Sequence, residues 1–223
     1  MATAKQTKVR VSTASERDGG SRARLVEAAT ELFVKHGFRD VSIREVARRA
    51  GANSALIAYY FGDKEGLFKE VFKAVAAPLN TARLMNFEVL EQAGEITVES
   101  VVEAWVQPMF AGASLSQESP VAALSLSLNA EQSELSEALI VEVYDEVNKR
   151  FLSLLEQCLP GVSRATLVWR LYFLVGAVLT ATRPRARSFR NLSGGTLDRP
   201  KADELIRQLV EFTSAGFRAP EAP

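Results

Sequence analysis

Residues 41–68, VSIREVARRAGANSALIAYYFGDKEGLF, constrain this chain more than any other stretch. Ser42 stands where a helix N-cap is expected, and Glu45 three residues on completes the pattern of a capping box. Val41 and Val46 occupy the two positions of a hydrophobic staple around that cap. The helix so begun has to stop near Gly51, because glycine enters the left-handed backbone region without a Cβ penalty. A second short helix then spans about 54–60. Two short helices joined by a glycine-containing turn make a helix-turn-helix, a motif whose second helix enters the major groove of DNA.

Side-chain chemistry along this stretch fits that role. In the helix at 42–50, Ile43, Val46 and Ala47 are expected to face inward, which leaves Arg44, Arg48 and Arg49 on the polar side. Arg44 lies in the first turn, where a guanidinium can pair with O6 and N7 of guanine. In the second helix Leu56 or Ile57 has to anchor the element. Asn53, Ser54, Ala55 and Ala58 are small or polar, so the backbone can approach base edges; Asn53 or Ser54 offers hydrogen bonds, and Ala55 and Ala58 offer methyl contacts to thymine. Tyr59 and Tyr60 carry hydroxyls suited to phosphate oxygens, and two adjacent residues cannot both point inward. Asp63 is expected to cap the next helix. Lys64 in that helix's first turn opposes the dipole, an arrangement that makes sense where a phosphate docks. The candidate DNA contacts are thus Ser42, Arg44, Asn53, Ser54, Ala55, Ala58, Tyr59, Tyr60 and Lys64.

The strings SIREVA at 42–47, AG at 50–51 and YYFGDKEGLF at 59–68, preceded by an amphipathic helix, resemble the N-terminal domain of TetR-family transcription regulators, over about 21–72. At the position of Tyr60 that family more often has His, so the local contact differs while a hydrogen-bond donor is kept. The resemblance implies an all-α chain with an N-terminal three-helix DNA-binding domain. It also implies a C-terminal helical domain for effector binding and dimerisation, and a homodimer that pairs the last two long helices of each subunit. Such a dimer sets two helix-turn-helix units on a near-palindromic operator. Repression by promoter occlusion is the usual outcome in that family.

The 223 residues suffice for one larger domain or two smaller ones. Equal numbers of basic and acidic residues hide an asymmetry. Residues 1–80 carry 14 Lys and Arg against 9 Asp and Glu, whereas residues 81–223 carry 13 against 18. A basic first part and an acidic remainder suit a phosphate-facing module joined to one that does not touch nucleic acid. The single Cys and single His (His36, at a helix end) leave no intrachain disulfide, no Cys-based metal site and no catalytic constellation, so neither an enzyme nor a metal or cofactor is expected. The polar, basic N-terminus has no apolar signal region, which points to a cytoplasmic location.

Taken in order, residues 1–20 read as a disordered basic tail, with Lys5, Lys8, Arg10 and Arg17 placed to reach a DNA backbone. The DNA-binding domain is expected over 21–77. Its first helix is capped by Ser21, striped by Leu25, Ala28, Ala29, Leu32 and Phe33, and ended by Gly37, after which Phe38 folds back. Leu67, Phe68, Val71, Phe72 and Val75 stripe the helix that starts at Asp63. Pro78 is expected to break or kink the chain. Residues 78–223 then form helices near 79–92, 97–110, 119–128, 133–158, 163–182 and 201–216, with a loop at 112–120. The segment 163–182 is apolar nearly all round; Arg170 in its middle argues against a membrane span and for a central core helix that also supplies half of a dimer interface. A buried Arg170 needs a partner, either an acid among 142–146 or an anionic ligand. Leu205, Leu209, Phe212 and Phe217 are expected to pack on that helix, and the arginines at 183–190 to form a basic loop.

Trp105, Phe110, Tyr144, Trp169, Tyr172 and Phe173, with Arg170, are the candidate lining of an apolar effector cavity. The strings PLNTARL at 78–84 and WRLYFLVGA at 169–177 resemble the PsrA-like branch of the family, which implies long-chain fatty acids or their CoA esters as effectors. The reading that results is a ligand-responsive DNA-binding regulator released from its operator by a small, largely apolar effector. The alternative is a helical protein-interaction adaptor on the same fold, without specific DNA binding.

Overall fold

The computed structural model describes residues 14–110, 119–131, 133–182, 186–197 and 201–221, all helix or short connection, with no strand among them. Lys5, Lys8, Arg10, Arg183, Arg185 and most of the 112–120 loop lie outside the described residues, as does the Arg17 side chain. The chain divides into two units, Met1–Val71 and Phe72–Pro223.

The first unit is built on α1 (Ala14–Asp40), α2 (Ile43–Arg49), α3 (Ala55–Phe61) and the opening turns of α4 (Lys64–Ala93). Helix α1 is already under way at Ser21, so Ser21 is not its cap and the helix takes in the end of the expected tail. Gly37, at φ 79° and ψ 170°, interrupts the helical backbone where the sequence placed its end. Phe38 then turns inward, its ring 4.8 Å from that of Phe68 and 6.0 Å from that of Phe33. Leu25, Ala28, Ala29, Phe33, Val46, Ile57, Leu67 and Phe68 fill the core, each at most 5% exposed. Burying aliphatic and aromatic side chains stabilises by about 1.5–3 kcal/mol each, enough to hold helices as short as α2 and α3 that would not form alone.

The second unit holds the remainder of α4 with α5 (Val98–Phe110), α6 (Pro120–Glu131), α7 (Glu134–Cys158), α8 (Arg164–Ala181), α9 (Ala186–Leu192) and α10 (Ala202–Arg218). Phe151 of α7 is its hub, with ring centroids of Phe87, Trp105 and Phe217 at 6.3, 5.9 and 5.8 Å. Helix starts are marked by reciprocal side-chain caps, Ser133 with Ser136 and Thr97 with Ser100. Helix α10 lies on α5 and α8, and Arg218 pairs with Glu99 of α5.

Three expectations change here. Helix α4 runs 30 residues straight through Pro78 instead of breaking. Proline costs a helix about 3 kcal/mol, and burial of Ala76 and Leu79 beside it, with Phe87 further along the helix, offsets it. Residues 186–192 form a short helix, α9, within what reads as a basic loop, with Arg187 and Arg190 exposed on it. Helix α8 is not buried on several faces: Leu167, Leu171, Leu174, Val178 and Leu179 are covered, while Trp169, Tyr172 and Phe173 face outward. Pro108 stays inside α5. It has no N–H to donate to the Ala104 carbonyl one turn back, and that carbonyl accepts from Asn86 Nδ2 of α4 at 3.2 Å.

Candidate nucleic-acid interface

The cap of α2 forms as its residues dictate. Ser42 Oγ accepts the Glu45 N–H at 3.2 Å, with Val41 and Val46 buried on either side. The returning bond from the Glu45 side chain is not made, so half of the capping box is present. At the other end the Ala52 N–H reaches the Ala47 carbonyl at 2.9 Å and the Gly51 N–H reaches Arg48 at 3.3 Å. These are the two bonds of a Schellman motif, and Gly51 takes the left-handed conformation it requires, φ 60°. The angle between α2 and α3 is thereby set by backbone hydrogen bonds rather than by side chains that must also read DNA.

Helix α3 starts on Asn53, whose Oδ1 accepts the Ala55 N–H at 2.9 Å. Ser54 is already helical and caps nothing with its side chain. An Asn side chain spans two residues in this way more readily than Ser, which leaves the Asn53 amide NH₂ and the Ser54 hydroxyl for contacts outward. Ile57, 1% exposed, is the anchor. Asn53, Ala55, Ala58 and Tyr59 are exposed, with Ser54 and Tyr60 half-buried. Tyr59 stands out most, at 73%, its ring edge-on to Tyr60 at 4.9 Å. Tyr60 in turn packs against Phe61. One tyrosine faces outward and the other braces it.

Arg44 is exposed and engages no described residue, whereas Arg49 is tied to Glu31 at 2.5 Å. Ile43, expected inward, is 39% exposed; it opens α2 at the side of a groove. Asp63 caps α4, its Oδ1 accepting the Gly66 N–H at 2.8 Å. Lys64 turns back rather than outward. Its Nζ donates to the Arg39 carbonyl at 3.2 Å and lies 4.5 Å from the centre of the Phe38 ring, so part of its role is to fasten α4 to the end of α1. A groove of about 510 Å³ runs between Ser42, Ile43, Ala58, Asp63 and Lys64, flanked by the two helix starts.

The effector candidates do not come together in one place. Trp105 and Phe110 are core residues, each 4% exposed, and Tyr144 is half-buried with its hydroxyl 3.4 Å from Ser125 Oγ. Trp169, Tyr172 and Phe173 are 63–68% exposed on α8. Arg170 pairs with no acid of 142–146. Its guanidinium donates to the carbonyls of Phe217 at 2.8 Å and Ala219 at 2.6 Å, capping the C-terminal end of α10, where carbonyls lack helical partners. The reading missed Arg83, the largest fully buried side chain, 1% exposed. The signal was its spacing, four residues from Leu79 and from Phe87 on one apolar stripe.

Comparison with known proteins agrees with this geometry. Residues 103–216 match the profile described as tetracyclin repressor-like, C-terminal domain, and residues 25–71 match that of bacterial regulatory proteins, tetR family. The HTH-type transcriptional regulator BetI of Escherichia coli O17:K52:H18 is 26% identical over 85% of this chain and 91% of its own length. BetI of strain O45:K1 is 32% identical over 82 residues, 36% of this chain and 42% of its own. Among solved structures, the hemolysin II transcriptional regulator HlyIIR superposes with a TM-score of 0.59 at 20% identity, covering 86% of this chain and 98% of its own. The fatty acid degradation regulator FadR of Bacillus halodurans gives 0.58 at 17%, covering 88% and 99%. With both family profiles matched in chain order and the helix-turn-helix formed at the expected residues, the chain belongs to the TetR family of DNA-binding transcriptional regulators, proteins that are not enzymes.

Proposed function

We propose that this regulator is a repressor that binds a near-palindromic operator as a homodimer and is released by a small, largely apolar effector held in the second unit. The observation that carries the operator reading is the face of α3. Ala55, Ala58 and Tyr59 stand clear of the protein, while Ile57 and the Gly51 turn hold the helix from behind. Arg44, exposed at the start of α2 and engaging no described residue, suits a guanine, and Tyr59 a phosphate. Ser42, Asn53, Ser54 and Tyr60 complete the surface. Lys64 contributes through the charge it places at the α4 start.

Dimerisation through α8 and α10 is supported by the exposed aromatic face of α8, Trp169, Tyr172 and Phe173, and by the exposed Phe212 of α10. Phe212 was expected against α8 and instead lies 74% exposed. Contiguous apolar surface of this kind marks an interaction site. A fatty acid or acyl-CoA fits as effector with the aromatic core of the second unit and with the structural likeness to a fatty acid degradation regulator. A hundredfold loss of operator affinity requires about 2.7 kcal/mol of coupling between effector and DNA.

Selection of bound fragments from a random duplex pool at fixed salt, followed by titration of the best site, tests the reading. A near-palindrome bound at nanomolar affinity by two chains is expected. Weak, salt-sensitive binding without sequence preference would instead favour an adaptor that uses the same fold.

A further inference from the structure

Arg83 sits where a charge is costly. It is 1% exposed on the buried stripe of α4, between Leu79 and Phe87. Nε donates to the Trp105 carbonyl at 2.8 Å, and the guanidinium carbon lies 3.6 Å from the centre of the Trp105 ring. Nη2 is buried without a hydrogen-bond partner among the described residues. The indole Nε1 of Trp105, the residue that guanidinium covers, is likewise buried and unpartnered. Burial lowers the Arg83 guanidinium to about 9, with the Tyr144 phenol acting weakly the other way, so it stays protonated at neutral pH. No carboxylate of a described residue pairs with it.

Two adjacent groups that can only donate, one of them charged, lack the same thing: an acceptor with negative charge. Leaving a buried cation unpaired costs several kcal/mol, more than stacking on one indole returns. Phe87, Phe151 and Trp105 make the surroundings apolar. A free inorganic ion would have only these donors in exchange for its lost hydration, whereas an amphiphile adds the burial of its own chain. The Tyr144 hydroxyl, held to Ser125 and kept protonated by burial, supplies a further donor. Asn80, one turn before Arg83 on α4, has its Nδ2 fixed by the Val143 carbonyl at 2.7 Å and an unpartnered, buried Oδ1, which can accept from a ligand hydroxyl.

We infer that Arg83, not Arg170, is the anion-binding residue of the second unit, and that with Trp105 it holds the carboxylate of an amphiphilic monocarboxylic acid. This rests on the effector reading above and fixes the charge and the chemical class of the effector.

The test is calorimetric titration of the full chain with octanoate and decanoate below their aggregation limits, and with decan-1-ol as the uncharged match. The wild-type chain is expected to bind one decanoate per chain at least tenfold more tightly than decanol. Arg83→Met, close in volume and uncharged, should lose that preference. Arg83→Lys should keep part of it. The wild-type pair of ligands needs no variant and decides the matter even if Arg83→Met fails to fold. Equal affinity for decanoate and decanol would overturn the anion site while leaving an apolar effector in place. Absence of binding by either carboxylate at millimolar concentration would overturn it as well, without touching operator binding. If sodium chloride or phosphate alone stabilises the wild type but not Arg83→Met, and no carboxylate preference appears, Arg83 takes only a counter-ion and the inference fails.

Discussion

Arg44 and Lys64 both carry a positive charge at a helix start of the DNA-binding unit, yet their surroundings give them different work. The Arg44 guanidinium is exposed and engages no described residue, so its planar fork is available to a guanine edge. Arg44→Ala should therefore relax selection at one base pair, with about 1–3 kcal/mol of discrimination lost there. The measurement is a comparison of selected-site logos for variant and wild type; an unchanged logo would remove the base-reading role. Lys64 is committed in part to the Arg39 carbonyl and the Phe38 ring, and its substitution mixes a stability effect with a DNA effect. Residue roles were legible in the sequence where partners lie within a turn. Ser42 caps Glu45, Gly51 closes the turn, and Asp63 caps Gly66. Lys64, Arg83 and Arg170 were not, because their partners lie 25, 22 and 47 residues away, and no local pattern specifies a contact between helices that distant in the chain.

At the scale of elements, the corner between α3 and α4 depends on a glycine whose neighbour is backbone. A Cβ on Gly66 would lie 1.9 Å from the Phe61 carbonyl oxygen. The oxygen belongs to the last residue of α3, so relief of that overlap has to move the recognition helix itself. Gly66→Ala is expected to cost about 1–3 kcal/mol, as overpacking does, and to weaken operator binding in parallel. Thermal melts and operator titrations check this, with Gly161→Ala as the control, since nothing lies within 4 Å of its Cβ position. A melt unchanged from wild type would mean the corner yields freely. Element types were readable from periodicity and caps except at α9, a helix within what reads as a loop, and two other misreadings share a cause. Pro78 is a strong local stop signal, but Ala76 and Leu79 on its flanks are buried, and tertiary packing outweighed the missing N–H. The outward aromatics of α8 were misplaced for a related reason. A helix apolar on all sides has no polar face to show which side meets its own core.

For the whole molecule the outward side of α8 is decisive. Trp169, Tyr172 and Phe173 follow one helical face, and Trp169 and Phe173 stack at 6.3 Å. Helix α8 is long and apolar enough to cross a membrane by composition, yet its other side packs on α7 and α10 and Arg170 holds the end of α10. That inner side is therefore committed to its own unit, which leaves the aromatic side for the second copy of the proposed dimer. Aromatic side chains bury about 150–250 Å² each. Being 63–74% exposed, the four per chain, Phe212 included, can supply on the order of half to three-quarters of the ~800 Å² per partner of a standard protein interface. Two chains so joined would bring two recognition helices to one operator, and the second half-site would then bind as an intramolecular step, with an avidity gain of about 10²–10⁴. Trp169→Glu combined with Phe173→Glu should leave helix content by circular dichroism unchanged, because neither side chain belongs to the core. It should convert the protein to monomers in sedimentation velocity and lower operator affinity by at least about a hundredfold. A double variant that still sediments as a dimer would place the subunit interface elsewhere on the second unit and return the aromatic face of α8 to a different partner.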